Sequence, residues 1–262
     1  MAMKDAMYRR TGEGRFASTI HAQGAWNPHE QHMGPASGLL AHEIERFSRA
    51  EGLRIARLSY DILGLMAGGD VSVTVEMERP GRTIQLVRAE MTGPDGRPCL
   101  RARAWLLATT DTEEIAGLEE ETMPHREECD PLDGSAIWGG GYIAQLEGFR
   151  HKDSRPGRGW SWVSSTHPLV EGEDAAFGEF VRDLDAANGM AVRVSPGDSG
   201  WAYPNVDLQL HLIRAPRGPW KGLDTRVSFG ADGVGLTSSV VSDSDGVVGR
   251  MEQTLTLRRV GA

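Results

Sequence analysis

The chain has 262 residues, of which 39% are apolar, and a formal net charge of −9. This length suffices for one large domain or two of ordinary size, and the composition is that of a globular protein. The acidic balance, with an isoelectric point of about 5.4, disfavours broad nucleic-acid binding, because a phosphate backbone repels such a surface.

Membrane and metal-binding classes are also disfavoured. No apolar run approaches the roughly 20 residues that a membrane-spanning helix needs. Residues 1–14 lack an apolar core, which argues against a signal peptide and allows this segment to be partly disordered. Cys99 and Cys129 have no metal-ligand spacing, and the histidines form no HxH or HxxxH pair. We therefore expect a cytoplasmic protein with free thiols and without a metal or other cofactor.

The first predicted elements are a strand over 15–26 and a helix over 33–49. The helix carries apolar residues at the 3.6-residue spacing, namely Leu40, Ile44 and Phe47. Its first turn is small and bare, since it reads GPASG over 34–38. Small residues at that place allow either tight packing of the helix or close approach of a substrate to its amino end.

Strands follow the helix. Alternating apolar residues predict a strand with one buried face, namely Val71, Val73, Val75 and Met77. The segment 70–86 gives strand, turn and strand, and Asp95-Gly96 then marks a turn before a strand that runs to residue 107.

The same pattern returns 150 residues later, where Asp245-Gly246 repeats the Asp-Gly turn. The second copy has a strand over 158–169, a helix over 173–189, a strand over 206–214 and further strands over 220–257. Each half therefore predicts strand, helix and antiparallel meander, which is an α+β layer arrangement.

We expect a first repeat over 1–108, an acidic and solvated linker over 109–136, and a second repeat over 137–262. The glycines at 139–141 are expected to form a flexible entry to the second repeat, because no helix and no lysine follow them as a phosphate loop would require.

Three stretches carry a resemblance to a known family. They are GAWNPHEQHMGPASGLLAHEIE (24–45), DLDAANGMA (183–191) and NVDLQLHLIRAPRGPWKGLDTR (205–226). They resemble the thioesterase superfamily of the bacterial acyl-CoA thioesterase II type, over about residues 15–260. The resemblance implies a double hotdog, in which two repeats form one continuous sheet around two central helices. It also implies hydrolysis of an acyl-CoA thioester within fatty acid metabolism, and a homodimer or tetramer.

The resemblance implies catalytic residues as well. Asp207 aligns with the family's catalytic aspartate, Gln253 with its glutamine and Ser228 with its hydroxyl, although Thr225 competes for that last role. We expect Asp207 to take a proton from an attacking water that Gln253 and Ser228 orient. Asp207 alternates along its strand with apolar residues such as Leu208. Taken alone, this alternation is also typical of an exposed aspartate on an amphipathic strand.

Carbonyl binding is expected at the start of the first helix, with His32, Gly34 and Ala36 as substrate-binding residues. Backbone N–H groups at a helix amino end can stabilise the negative charge that develops on a thioester oxygen. The chain departs here from the Gly-Gly-Gln-like stretch of the family, and Pro35 removes one N–H donor. His32 is either a replacement donor or a surface or capping histidine.

Two other functions stay open. A hotdog hydratase or dehydratase would present an Asp-x-x-x-x-His pair near the central helix, and the sequence shows no convincing pair. A catalytically degenerate double hotdog would bind acyl-CoA or a fatty acid without cleaving it. Basic residues after the Asp207 strand either contact coenzyme A phosphates or are simply solvated, namely Arg214, Arg217 and Lys221.

Overall fold

The computed structural model describes residues 5–48, 52–196 and 199–260. Its helices are α1 (Met33–Phe47), α2 (Ala176–Leu184) and α3 (Ala187–Met190). The strands before α2 are β1 (Tyr8–Gly12), β2 (Arg15–Ser18), β3 (Leu53–Ile62), β4 (Asp70–Arg79), β5 (Ile84–Thr92), β6 (Pro98–Ala108), β7 (Asp130–Leu132), β8 (Leu146–Arg150) and β9 (Arg158–Ser165). After α3 come β10 (Trp201–Ala202), β11 (Asp207–Leu212), β12 (Lys221–Phe229), β13 (Val234–Asp243), β14 (Gly246–Thr256) and β15 (Arg258–Arg259). Within the described ranges, no helix is long and apolar enough to cross a lipid bilayer.

One large sheet holds the two repeats together. Its order is β1-β2-β4-β5-β6-β3-β11-β14-β13-β12-β9-β8-β7. The first half of the order comes from the first repeat and the second half from the second, and the antiparallel pair of β3 and β11 joins them. This arrangement, with α1 and α2 against its inner face, confirms the predicted α+β double hotdog.

The repeat is visible in the matching hairpins. Gly96, at φ 78°, lies in the turn between β5 and β6, and Gly246, at φ 108°, is the first residue of β14, directly after the turn that follows β13. Glycine adopts this left-handed region without steric penalty, which explains the Asp-Gly pair in both copies. The 150-residue offset therefore predicted the hairpins correctly.

The small first turn of α1 serves packing of helix on helix. An added Cβ at Gly34 would lie 2.6 Å from the carbonyl oxygen of Arg182, and one at Gly38 would lie 2.6 Å from that of Gly178. Since α2 runs antiparallel to α1, the glycines let the two backbones approach along both helices. The amino end of α1 consequently lies beside the carboxyl end of α2, and the candidate site forms at this junction.

Several predicted elements differ at their ends. The strand predicted over 15–26 stops at Ser18, because Thr19 caps a short 3-10 turn through its hydroxyl, which accepts from the His21 amide at 3.2 Å. The helix predicted to residue 49 is seen as far as Phe47, and residue 49 lies outside the described part of the chain. The helix predicted over 173–189 is divided into α2 and α3.

Two segments expected to be loosely held are structured. Residues 8–12 of the amino-terminal segment form β1, and the Tyr8 amide donates to the Leu169 carbonyl at 2.9 Å, so they are ordered rather than disordered. Residues 1–4 of that segment lie outside the described residues. In the acidic segment, β7 pairs with β8, so the sheet of the second repeat begins before the predicted boundary at 137.

Candidate active site

A buried carboxylate lies at the junction of the two helices. Asp185 directly follows α2 and is 7% exposed. Its Oδ1 accepts hydrogen bonds from Gln253 Nε2 at 2.7 Å and from Asn205 Nδ2 at 3.1 Å. Its Oδ2 lies 3.0 Å from His32 Nδ1. Three separate parts of the chain therefore fix the orientation of this carboxylate.

His32 is the N-cap of α1, and its ring reaches Asp185 because α1 begins where α2 ends. The Gly34 amide donates to His32 Nδ1 at 3.1 Å, and the ring lies against Tyr142 with 4.5 Å between centroids. One nitrogen cannot accept from Gly34 and donate to Asp185 at the same time. Which of these two hydrogen bonds forms therefore depends on whether His32 Nδ1 carries the proton.

Gln253 holds Asp185 from the sheet. It lies on the inner face of β14, is 0% exposed, and uses its amide nitrogen for the bond to Asp185. Its Oε1 has no hydrogen-bond partner among the described residues, and the same holds for the hydroxyl of Thr237, which faces it across the β13–β14 ladder. Buried polar groups are normally paired, so these two unpaired atoms are an exception close to Asp185.

The structure does not bring Asp207 to Gln253. Asp207 Oδ1 accepts from the Thr254 amide at 2.6 Å, and Oδ2 lies 3.3 Å from the Thr254 hydroxyl. Because successive side chains of a strand point to opposite faces, Thr254 faces outward while Gln253 faces inward. The expected convergence of Asp207 and Gln253 on one water is therefore not found, and Asp185 occupies the position next to Gln253 instead.

The predicted hydroxyl is also on the other face. Ser228 is exposed on the outer side of β12. Its competitor Thr225 is 1% exposed on the inner side, where its hydroxyl lies 2.8 Å from that of Ser239. Neither hydroxyl hydrogen bonds to Asp185 or Gln253, so the geometry does not unite the predicted Asp, Gln and Ser set.

Of the three residues expected to bind the carbonyl, the geometry places His32 alone at the cleft. Gly34 packs against α2 and donates its amide to His32, and Ala36 is 0% exposed in the core. Gly34 and Ala36 are consequently covered by protein, whereas His32 and Met33 border a second cleft that Asp185 and Asn205 also line. His32 is the capping histidine that the sequence analysis considered, and it also borders the cleft.

The polar groups border a mostly apolar cleft whose empty space, counted together with the open solvent at its mouth, is about 730 Å³. His32, Asp185, Asn188 and Asn205 form its polar end. Its apolar wall includes Trp26, Leu132, Ile137, Trp138, Ile143, Leu146 and Met190. A long apolar wall with a few convergent polar groups is typical of a site for a mostly apolar small molecule.

The tyrosines near the cleft stay neutral and act as hydrogen-bond donors. Burial raises the pKa of Tyr203 to about 12, and its hydroxyl donates to the Val194 carbonyl at 2.7 Å. Burial also raises the pKa of Tyr142 well above its usual range, and its hydroxyl donates to the Arg182 carbonyl at 3.0 Å. Neither tyrosine is therefore suited to take up a proton at neutral pH.

A second charged cluster lies at the far ends of the same helices. Within the described residues, His42, Glu43 and Glu173 are the group whose ligand atoms are close enough to hold a metal ion. Arg10 already contacts Glu43 at 2.6 Å and Glu173 at 2.6 Å, and Arg46 lies 3.2 Å from Glu173. Two guanidinium groups therefore occupy the carboxylates that a cation would need.

The basic residues considered for phosphate binding have structural partners. Arg214 is bonded to Asp243 at 2.5 Å, and the buried Lys221 donates to Asp183 at 2.7 Å. Arg217 is mostly exposed and lies 3.3 Å from Asp245. Arg217 is the one of these three whose side chain is open to solvent.

Asp185 lies within the DLDAANGMA stretch of the family resemblance but was not among the predicted site residues. Asp183 and Asp185 are two residues apart near the end of a helix with an apolar stripe, so they point in different directions. Both are nevertheless buried, Asp183 at 0% and Asp185 at 7% exposed. The sequence signal that could have predicted a buried acid was the presence of two aspartates at positions that the helical pattern places partly inward.

Comparison with known proteins gives a consistent assignment. The family model described as acyl-CoA thioesterase N-terminal domain matches residues 22–107, and the one described as acyl-CoA thioesterase C-terminal domain matches residues 126–257. No curated protein sequence matches the chain.

Solved structures share the fold at low identity. A thioesterase II candidate from Thermobifida fusca YX is 17% identical with a TM-score of 0.71, and 99% of each chain is covered. The acyl-CoA thioesterase II TesB2 of Mycobacterium marinum is 13% identical with a TM-score of 0.69, covering 97% of this chain and 96% of that one. The CurJ dehydratase is 10% identical with a TM-score of 0.57, covering 98% and 96%. At these identities the likeness concerns the fold alone.

Proposed function

Because the chain belongs to the acyl-CoA thioesterase family of thioester hydrolases, we propose that it hydrolyses an acyl-CoA thioester with Asp185 as the general base. One observation carries this proposal. A buried carboxylate is held by Gln253, Asn205 and His32 at the polar end of an apolar cleft. An acyl chain fits the apolar wall, and its thioester group then lies beside Asp185.

The reaction balances with these groups. A water oxygen forms a bond to the thioester carbon while one water proton passes to Asp185. The C–S bond then breaks, and the sulfur leaves with the electron pair and takes the proton back from Asp185. The products are a carboxylic acid and a free thiol, and the protein returns to its starting state.

Gln253 and Asn205 are positioning residues in this scheme. Their amide nitrogens fix Oδ1, so Oδ2 is the oxygen left for proton transfer. His32 lies 3.0 Å from that oxygen and can share the proton. Asp207 holds the backbone of Thr254, the neighbour of Gln253, and so keeps the end of β14 in register.

A second function is favoured by one observation, the His32–Asp185 pair. A histidine and an aspartate at a central helix could instead move protons on the carbon atoms of a bound acyl thioester, as a hydratase or dehydratase does. The fold likeness to the CurJ dehydratase, at a TM-score of 0.57, is lower than that to the thioesterase II structures. Hydrolysis is therefore the leading proposal.

The two functions are separated by their products. Purified protein is incubated with acyl-CoA of increasing chain length, and free thiol is measured, while enoyl-CoA is followed in parallel by its absorbance. Hydrolysis predicts thiol release that falls by about 10²-fold or more in Asp185→Asn, since a positioned general base contributes about 10²- to 10⁴-fold. Loss of enoyl absorbance without thiol release would favour the hydratase. Absence of both signals would favour binding without catalysis.

Assembly and location are further proposals. Exposed apolar side chains on the outer face of β13, with Val234 at 55% and Leu236 at 43% exposed, and the edges of a large sheet support a homodimer or tetramer. Light scattering that gives the monomer mass at micromolar concentration would contradict this. The free thiols of Cys99 and Cys129 support the cytoplasm, where the reaction would serve fatty acid metabolism.

A further inference from the structure

We propose that the indole N–H of Trp138 donates the hydrogen bond that polarises the thioester carbonyl, a role that rests on the proposed hydrolysis. The first observation is that the amino end of α1 has few donors to offer. The Gly34 amide is bonded to His32, Pro35 has no N–H, and the small residues behind them pack against α2, so Met33 is the one residue of the first turn whose amide is left. A hydrolase site needs donors for the oxygen that becomes negative, and a donor on a cleft side chain would add to that single amide.

Trp138 has an unused donor in the right cleft. Its Nε1 is buried and has no hydrogen-bond acceptor among the described residues. Tryptophan N–H groups usually find a partner when buried. The ring packs edge-on against Trp26 at 5.0 Å and Tyr203 at 5.9 Å between centroids. These contacts orient the indole while they leave its polar atom for a ligand.

Gly189 makes room for this nitrogen. A Cβ added at Gly189 would lie 3.1 Å from Trp138 Nε1, which is tighter than an ordinary contact. Asp185 and Ala186 have helical backbone angles and lead directly into α3. Residues 185 and 189 therefore share one face, with about 5–6 Å between such positions. Trp138 and Asp185 also line the same cleft.

The backbone after Trp138 is held in place. Gly140 has φ 99°, and added Cβ atoms at Gly140 and Gly141 would overlap the carbonyl oxygens of Gly24 and Ile20. The Gly141 amide also donates to Gln23 Oε1 at 3.2 Å. The glycines expected to form a flexible entry therefore dock this segment against the first repeat. A donor fixed before the reaction is what electrostatic stabilisation of a transition state requires.

The test compares Trp138→Phe with wild type and with Trp160→Phe, which changes a tryptophan on β9 that packs against His151 at 6.0 Å. Trp138→Phe keeps an aromatic ring and removes the donor. Loss of one such donor lowers kcat by about 10²- to 10³-fold, and we expect about 100-fold with KM changed by less than about twofold. Trp160→Phe should keep the wild-type kcat.

Binding of two non-hydrolysable probes separates hydrogen bonding from packing. One is the hexyl thioether of coenzyme A, which has no carbonyl, and the other is the matching ketone, in which a methylene replaces the thioester sulfur. We expect Trp138→Phe to weaken ketone binding about tenfold, as loss of one hydrogen bond predicts, and to leave thioether binding unchanged. Gly189→Ala, which displaces the indole, should show the same pattern.

The outcomes are distinct. Equal weakening of both probes, or an unchanged kcat in Trp138→Phe, overturns the role of Trp138 while hydrolysis by wild type stands. Absence of thiol release by wild type overturns the proposed function and, with it, this role. Thermal melting of each variant shows whether it is folded, and Gly189→Ala keeps the test available if Trp138→Phe unfolds.

Discussion

Replacing Gln253 by methionine tests the support of the catalytic carboxylate. Methionine has a similar length and no donor, so it removes the 2.7 Å bond to Asp185 Oδ1 without opening a large cavity. A hydrogen bond to a charged group contributes about 1.5–3 kcal/mol. Asn205 remains at 3.1 Å, so Asp185 keeps one of its two amide donors.

We therefore expect Gln253→Met to lose about 2 kcal/mol of transition-state stabilisation, which is roughly 30-fold in kcat/KM. Gln253→Glu should lose more, because it places a second carboxylate against Asp185. The assay is thiol release over a range of substrate concentrations, with thermal melting to confirm folding. A Gln253→Met enzyme within threefold of wild type would refute the view that this side chain holds the catalytic base.

Other predictions concern stability and the histidine. The Cβ added by Gly38→Ala should overlap the Gly178 carbonyl oxygen and lower the free energy of unfolding, measured in urea, by about 1–3 kcal/mol. Gly117→Ala is the control and should not destabilise the protein, because its added Cβ meets nothing within 4 Å. Hydrogen bonds from Arg10 and, to a smaller extent, from His42 lower the pKa of Glu173 to about 2. The stability that these contacts contribute together, at most about 3 kcal/mol, is full above pH 4.5 and is lost as the pH falls from 4.5 toward 2. Arg10→Met should consequently be less stable than wild type at pH 7, and the difference should shrink by pH 3; a constant difference across this range would contradict the assignment. His32→Asn keeps a capping side chain and removes the ring that lies 3.0 Å from Asp185 Oδ2, so kcat should fall at least tenfold with little change in melting temperature. A fall in kcat that is accompanied by a clear fall in melting temperature would indicate that His32 acts as a cap alone.

The repeat and the strands could be predicted from the sequence because they depend on local periodicity. The alternation from Val71 to Met77 gives one face of β4, and the Asp-Gly pairs give the hairpin turns. The start of β1 and the docking of the linker depend on contacts with distant residues, such as the bond from Tyr8 to Leu169, and the sequence pattern does not contain these contacts.

The site was partly predictable. Gln253 was assigned from the resemblance, and His32 was considered as a replacement donor where the chain departs from the family's pattern; both contact Asp185. Asp207 was assigned in the same way although it alternates with buried leucines, and the strand pattern, which places it outward, describes its position correctly. Predicting Asp185 required the knowledge that α1 and α2 pack antiparallel against each other, because only this packing brings the end of α2 to the start of α1.

The most direct test of the account compares Asp185→Asn and Asp207→Asn in one thiol-release assay. Each change keeps the size of the side chain and removes one carboxylate. The structure predicts that Asp185→Asn loses activity by about 10²-fold or more, while Asp207→Asn keeps most of it. Loss of activity in Asp207→Asn together with a near wild-type rate in Asp185→Asn would contradict the assignment of the catalytic base.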